Sequence, residues 1–170
     1  MNRLYILEGA DGTGKTTLSQ ELLAETKGHL LHASFNPEWD IPKYHEDLFK
    51  AAIILLEHQD VILDRWAVSE EVYAEAYRGG SSCSADEYMT RLIGNDIVNQ
   101  DLVKLIYCTN NSIVDNHNKN KSIRDEMFDD ILPVVREYER YMARTALDWI
   151  RYDFTKVDMK EFVRELIVWN

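Results

Sequence analysis

The fold of this chain is decided by residues 9–16, Gly-Ala-Asp-Gly-Thr-Gly-Lys-Thr. They match G-x-x-x-x-G-K-[ST], the glycine-rich loop that surrounds nucleotide phosphates with backbone N–H groups. An apolar run at residues 4–7 precedes the loop, and Leu18, Leu22 and Leu23 follow it at helical spacing. Because the motif requires this order of strand, loop and helix, the sequence predicts a phosphate-binding loop (P-loop) for a nucleoside triphosphate.

Each residue type in the P-loop has its own task. Glycines adopt backbone angles that a Cβ would crowd, so their amides can turn inward toward phosphate oxygens. Lys15 is expected to reach the β and γ phosphates as a point charge, and the Thr16 hydroxyl is expected to ligate Mg²⁺. The predicted nucleotide-binding residues are Gly9, Gly12, Thr13, Gly14, Lys15, Thr16 and Thr17.

Apolar runs alternate with amphipathic segments along the rest of the chain. The predicted strands are residues 4–7, 29–33, 61–63, 103–109 and 149–152. Such alternation is typical of a mostly parallel sheet with helices on both faces. We therefore predict an α/β P-loop NTPase fold with five strands, formed by residues 1–170 as a single domain.

Three polar segments, residues 34–42, 78–82 and 110–121, are predicted to be neither helix nor strand. Each follows a strand or the helix after one, and open α/β sheets bind ligands beyond the carboxyl ends of their strands. The third segment is rich in asparagine, which suits a mobile flap and equally a plain linker.

Two residues are predicted to mark helix boundaries. Gly28 is expected to end the first helix as its C′ glycine. Pro133 is expected to kink or restart the helical pattern between residues 124 and 147.

Charge and composition argue against several kinds of partner. The formal net charge is −11, from 30 acidic and 19 basic residues, so the molecule repels DNA and RNA polymers, while a few cations in a cleft can still attract a mononucleotide. No apolar stretch approaches the ~20 residues that span a bilayer, and the first strand leaves no room for a signal peptide. We expect no membrane partner, a cytoplasmic location, and free thiols at Cys83 and Cys108.

A second candidate motif, Asp64-Arg65-Trp66, ends the third predicted strand. An acid at a strand end beside a P-loop is a usual position for contact with Mg²⁺, and the adjacent arginine can clamp a second phosphate at two points. Asp64 and Arg65 could equally form an ion pair that caps a turn. The spacing alone leaves both interpretations open.

Together the two motifs resemble those of thymidylate kinases. Residues 7–17, LEGADGTGKTT, resemble the P-loop of that family, and residues 64–73, DRWAVSEEVY, resemble its D-R-[aromatic]-x-x-S-x-x-[small]-[aromatic] motif. A weaker match covers residues 124–138, after the family's lid. The chain is similar above all to compact bacteriophage enzymes of this kind, which would act in the host cytoplasm.

This resemblance implies a kinase that transfers the γ-phosphoryl group of ATP to a deoxynucleoside 5′-monophosphate, with Mg²⁺ as a second cofactor. It implies that Asp64 lies near Mg²⁺ with Thr16, that Arg65 holds the acceptor phosphate, and that Asp11 meets the acceptor's 3′-hydroxyl. A lid is expected at about residues 110–124. The implied catalytic residues are Lys15, Asp64, Arg65 and Arg124.

The resemblance also implies an acceptor pocket, with dTMP as the first expected acceptor. Phe49 resembles the aromatic residue that stacks on the base, and Tyr73 resembles the one that crowds the 2′ position and so favours deoxyribose. Ser69 and Glu70 belong to the same motif, with Glu70 at the edge of the base. A homodimer is expected as well, because the resembling enzymes are commonly dimers.

Several positions depart from the family pattern. Ile53 and Ala74 replace polar residues, and the loop at residues 35–38 lacks the family's arginine. The lid offers Lys119, Lys121 and Arg124 instead of a clear R-x-x-x-R pattern. The alternative acceptors are therefore dGMP, a modified deoxyuridylate, a nucleoside or a base within DNA. A nucleotide-binding switch or regulatory ATPase is the alternative outside the kinases.

Overall fold

The structure, a computed structural model, describes residues 2–94, 102–110 and 130–168. Within these residues, five strands form one sheet in which every neighbouring pair is parallel. The strands are β1 (Leu4–Glu8), β2 (His29–His32), β3 (Val61–Asp64), β4 (Val103–Thr109) and β5 (Ile150–Asp153). The predicted strands are confirmed, with differences of one residue at their ends.

Six helices in the described residues connect and cover these strands. They are α1 (Lys15–Thr26), α2 (Ile41–Leu56), α3 (Ala67–Tyr73), α4 (Ala85–Gly94), α5 (Leu132–Arg144) and α6 (Met159–Val168). The chain continues from α3 directly into a π-helical turn, Ala74–Arg78. No described helix has both the length and the apolar character that crossing a membrane requires.

The helices lie on both faces of the sheet, as the alternation of elements predicts. Leu4 and Ile6 of β1 belong to the apolar cluster that α2, α3, α4 and α5 cover, whereas Tyr5 and Leu7 belong to the cluster under α1 and α6. All five residues of β1 are buried. A strand buried on both faces has a continuous apolar sequence, and this explains why β1 could be recognised from its composition.

The strand order β2-β3-β1-β4-β5 places β1 at the centre. The register pairs Leu7 of β1 with Asp64 of β3 on one side and with Ile106 of β4 on the other. Because all strands are parallel, the loops after β1, β3 and β4 leave the same edge of the sheet. This edge brings the P-loop, Arg65 and Asn110 close together.

The end of α1 differs from the prediction at Gly28. Lys27, with φ 53°, is the left-handed residue, and its N–H donates to the Leu23 carbonyl at 2.9 Å. Gly28 is required for another reason, since a Cβ at this position would lie 2.3 Å from the carbonyl oxygen of Asp60. Glycine here permits close approach of two backbone segments.

Helix α5 begins at Leu132, with Pro133 in its first turn. Proline suits this position because the first N–H groups of a helix have no partner within the helix. The helix thus begins one residue before Pro133, and the earlier part of the predicted helical pattern, residues 124–129, lies outside the described residues. The expected lid at residues 110–124 and its cations Lys119, Lys121 and Arg124 lie outside the described residues, apart from Asn110.

Candidate active site

The P-loop follows β1 and packs closely against β4. Gly9, Gly12 and Gly14 all have positive φ, at 144°, 82° and 82°. A Cβ on Gly9 would lie 2.2 Å from the carbonyl oxygen of Cys108, so the loop can approach β4 only with glycine at this position. The Thr13 hydroxyl donates to the Ala10 carbonyl at 2.7 Å and closes the loop on itself.

Lys15 lies buried beneath the loop at the start of α1. Its Nζ donates to the carbonyl oxygen of Ala10 at 2.8 Å. Burial, with a contribution from the charge of Arg65, lowers the pKa of the Lys15 ammonium group. Phosphate oxygens that approach Lys15 would stabilise its charged form. Thr16 and Thr17 follow in the first turn of α1, and both are exposed.

Asn110, the residue after β4, stabilises the P-loop by a side-chain hydrogen bond. Its Nδ2 donates to the Gly12 carbonyl at 2.7 Å, and its buried Oδ1 has no partner among the described residues. Sequence reasoning placed Asn110 in a polar flap and gave it no role. Its position directly after a predicted strand, at the edge where the P-loop lies, was the available signal.

Asp64 ends β3 beside the loop and is buried. Burial opposes ionisation of Asp64, but a hydrogen bond from His32 and the charges of Lys15 and Arg65 outweigh it and lower the pKa. His32 Nδ1 lies 3.4 Å from Oδ2, whereas the buried Oδ1 has no partner in the described chain. An orphaned carboxylate oxygen and the exposed Thr16 hydroxyl are oxygen ligands of the kind that Mg²⁺ prefers, so the residues present fit this ion.

No group of three or more metal-ligating side chains occurs among the residues that the structure covers.

Arg65 brings the predicted acceptor residues together. Its φ of 68° is left-handed, and its Nη1 donates to the Gly9 carbonyl and to the Ser69 hydroxyl, each at 3.3 Å. Its Nη2 donates to the Tyr73 hydroxyl at 3.3 Å and forms a buried ion pair with Asp11. The guanidinium carbon also lies 5.1 Å from the centre of the Tyr73 ring. Four predicted substrate-binding residues, Asp11, Arg65, Ser69 and Tyr73, thus form one cluster.

Glu8, directly before the P-loop, stabilises this cluster by accepting hydrogen bonds from residues around it. The Trp66 N–H donates to its Oε1 at 2.9 Å, and the hydroxyls of Ser69 and Tyr138 donate to its Oε2, the latter at 3.2 Å. Burial raises the pKa of Glu8 against the opposing effects of Ser69 and Arg65. Sequence reasoning assigned Glu8 no role, although a carboxylate at the end of a fully apolar strand was a visible signal.

A narrow hollow of about 20 Å³ lies beside Arg65 on the side of α2. It is lined by Ala33, Ser34, Phe35, His45, Arg65, Trp66, Ser69 and Glu70. Phe49 does not line it in this structure; its ring stacks on Trp66, with ring centres 5.4 Å apart. A hollow this small cannot hold a nucleotide base unless some of the residues that line it move.

Glu70 lines this hollow and is paired with Arg78, which sequence reasoning did not include. Arg78 Nη2 lies 2.9 Å from Glu70 Oε2, and the Arg78 guanidinium carbon lies 3.9 Å from the centre of the Phe35 ring. Burial raises the pKa of Glu70, while the hydrogen bond from Arg78 opposes this effect.

A larger cleft, of about 510 Å³, lies on the opposite side of the P-loop. Its lining combines P-loop and α1 residues with the loop between β5 and α6: Gly12, Gly14, Thr17, Tyr152, Phe154, Val157, Asp158 and Met159. Phe154 is 40% exposed and lies close enough to Gly14 that a Cβ there would be 3.0 Å from its ring. The cleft has the size and the aromatic surface to accept a nucleotide base.

No protein-family model and no curated protein matches this sequence. Solved structures do match. The chain is 23% identical to the YorR protein from Bacillus subtilis, crystallised in complex with phosphorylated GDP, with a TM-score of 0.67 over 96% of this chain and 93% of that one. The chain has the P-loop NTPase fold. Deoxyadenosine kinase from M. mycoides shares this fold at 15% identity: its structure with bound dCTP gives a TM-score of 0.59 and covers 96% of this chain and 98% of the kinase.

Proposed function

We propose that this protein is an ATP-dependent deoxynucleoside monophosphate kinase. The observation that carries the proposal is that two cationic side chains contact neighbouring carbonyl groups of the P-loop. Lys15 donates to the Ala10 carbonyl, and Arg65, which follows β3, donates to the Gly9 carbonyl. Two phosphate-binding groups this close can hold the donor and acceptor phosphates on either side of a single transfer. A switch or regulatory ATPase needs only the first of them.

Catalysis by these residues is positional and electrostatic. The P-loop amides and Lys15 hold the donor phosphates, while the planar fork of Arg65 holds the acceptor phosphate and stabilises charge that develops on the transferred group. Thr16 and Asp64 would hold Mg²⁺, which would neutralise negative charge on the donor phosphates. In this proposal the lid excludes water, and Arg124, which lies outside the described residues, acts near the donor nucleotide, as the resemblance implies.

In this proposal the two substrates bind on opposite sides of the P-loop. The 510 Å³ cleft beside Phe154 takes the base of ATP, and the hollow beside Arg65 takes the acceptor base. The nucleotides bound to YorR and to deoxyadenosine kinase support small nucleotides as the substrates of this chain too. The net charge of −11 argues against a base within DNA.

The acceptor base is assigned from Glu70. An ionised carboxylate accepts hydrogen bonds and donates none, so it favours thymine N3–H or guanine N1–H over cytosine, whose N3 has no proton. The acceptor is therefore dTMP, as the resemblance implies, or dGMP. A cytoplasmic location, where such nucleotides and ATP occur, and a homodimer belong to the same proposal.

A turnover assay with ATP, Mg²⁺ and a panel of mononucleotides tests the kinase. We expect ADP release to depend on a deoxynucleoside monophosphate, and the corresponding diphosphate to appear in equal amount. Lys15→Ala protein serves as the blank. ATP hydrolysis at the same rate with and without every acceptor would favour the regulatory ATPase instead.

The sugar preference is expected to depend on the Tyr73 ring. Tyr73→Ala should reduce the preference for deoxyribonucleotides over ribonucleotides roughly 10-fold, because the smaller side chain leaves room for a 2′-hydroxyl. The matched control is Tyr73→Phe, which keeps the ring and removes only the hydroxyl that accepts from Arg65. If the ratio of dNMP to NMP rates is unchanged in Tyr73→Ala, Tyr73 does not line the sugar pocket.

A further inference from the structure

A buried tyrosine joins the hydrogen-bond network beside Arg65. Tyr138, on α5, is fully buried, and its Oη lies 2.7 Å from the Ser69 hydroxyl and 3.2 Å from Glu8 Oε2. Ser69 has one hydroxyl hydrogen, which it donates to Glu8. Tyr138 therefore shares its own hydrogen between Ser69 and Glu8. Burial raises the pKa of the Tyr138 hydroxyl well above its usual value, so Tyr138 remains a donor.

This network holds Arg65 at two points. Glu8 Oε1 accepts from the Trp66 N–H at 2.9 Å and so fixes the backbone directly after Arg65. Glu8 Oε2 accepts from Ser69, whose oxygen accepts in turn from Arg65 Nη1 at 3.3 Å. Because its hydrogen is directed to Glu8, the Ser69 hydroxyl has one lone pair for Arg65 and one for Tyr138. The hydroxyl cannot turn away from Arg65 without breaking a bond to a buried group.

The backbone of Arg65 needs such support. Its φ of 68° is left-handed, a conformation that a residue with a Cβ keeps only where the surrounding structure holds it. Helix α5, which carries Tyr138, packs against α3, which carries Ser69. The Tyr138 hydroxyl thus connects the predicted acceptor arginine to a helix from the second half of the chain.

We propose that Tyr138 is a positioning residue for Arg65: its hydroxyl orients the Ser69 oxygen, which in turn fixes the guanidinium fork for the acceptor phosphate. This inference rests on the proposed function, in which Arg65 holds that phosphate. Tyr138 itself acts through other residues, because it is fully buried. A displaced fork grips a phosphate at one point instead of two, so the rate falls while the fold is kept.

The test compares Tyr138→Phe with Tyr141→Phe and with wild-type protein. Tyr141 is the matched control, because it lies one turn later on α5, is also buried, and donates its hydroxyl to the Asp86 carboxylate at 2.9 Å. Each substitution keeps the ring and removes one hydroxyl that bonds to a carboxyl group. The measurements are turnover with ATP and with dTMP or dGMP, calorimetric binding of the same two acceptors, and thermal melting.

In Tyr138→Phe we expect kcat/KM for the acceptor to fall roughly 10-fold with the KM for ATP unchanged, because a small displacement of an orienting group is costly in rate. Tyr141→Phe should keep wild-type kinetics even if its melting temperature falls. A merely structural role would lower both melting temperatures and change neither set of kinetics. Wild-type acceptor kinetics in folded Tyr138→Phe, or an equal loss in Tyr141→Phe, would overturn the proposal.

Ser69→Ala removes the link between Tyr138 and Arg65, so it tests the same route without changing α5. It should lower kcat/KM for the acceptor at least as much as Tyr138→Phe does. The double variant should lose little more than Ser69→Ala alone, because residues in one hydrogen-bond network do not act additively. Wild-type acceptor kinetics in Ser69→Ala, or losses that multiply in the double variant, would contradict the proposal.

Binding separates this proposal from the kinase itself. If wild-type protein phosphorylates neither dTMP nor dGMP, the calorimetric affinities for these two nucleotides decide. An affinity that weakens in Tyr138→Phe but not in Tyr141→Phe would refute the kinase and retain the positioning role. Equal affinities in all three proteins, or no binding in any of them, would refute both.

Discussion

Lys15→Ala protein is expected to fold normally and to lose phosphoryl transfer by roughly 1,000-fold. The side chain neutralises charge near the transferred group, and water cannot replace a cation fixed beneath the loop. The fold should not suffer, because Lys15 is a buried ammonium group whose burial itself lowers its pKa. Removing it removes a desolvation cost together with a single hydrogen bond to Ala10.

The measurements are kcat with ATP and acceptor at saturation, and the melting temperature. Lys43→Ala is the control, since Lys43 is exposed and forms an ion pair with Asp47 on the surface of α2. Wild-type turnover in folded Lys15→Ala protein would disprove the P-loop assignment.

Arg65→Lys is expected to lower kcat/KM for the acceptor by roughly 100-fold while leaving the KM for ATP nearly unchanged. Lysine keeps the charge but loses the planar fork that can grip a phosphate at two points. It also cannot reproduce the set of contacts that Arg65 makes with Gly9, Ser69 and Tyr73 at once. The loss should therefore appear in kcat/KM for the acceptor, because Arg65 orients the acceptor phosphate.

Arg151→Lys is the matched control for this substitution. Arg151 lies 5.1 Å from the Tyr107 ring, the same distance that separates Arg65 from the Tyr73 ring, but it is exposed and distant from the P-loop in sequence. A change confined to the apparent affinity for ATP would place Arg65 in the donor site and refute its role in acceptor binding.

The strands could be predicted because their signals are local. Parallel strands that are covered on both faces consist mostly of apolar residues. Such a run of apolar residues can be recognised in the sequence even when the neighbouring strands are unknown. The P-loop was equally visible, because its chemistry requires glycine at fixed spacing. The boundaries were harder to predict: the third predicted strand ends at residue 63, whereas Asp64 pairs with Leu7 and belongs to β3.

The missed residues have partners far away in the sequence. Glu8 depends on Ser69 and Tyr138, and Asn110 depends on Gly12, so no periodicity in the sequence reveals their roles. Gly28 was misinterpreted for the same reason, because the backbone that crowds it is that of Asp60. Arg78 was hidden by the π-helical turn, since helical spacing predicts a different face for it.

The pairing of β1 sets the order in which the chain can fold as it leaves the ribosome. Leu4 pairs with Val61 on one side and with Val103 on the other, and neither partner belongs to the strand that follows β1 in the sequence. The P-loop is made before β3, β4 and β5, so the strands on both sides of β1 are in place only after β4 has emerged, and the Phe154 side of the cleft forms later still. Contacts so distant along the chain form slowly. A nascent chain therefore cannot complete the cleft beside the P-loop before β5 and the loop after it have emerged, and a product truncated before β5 lacks that cleft.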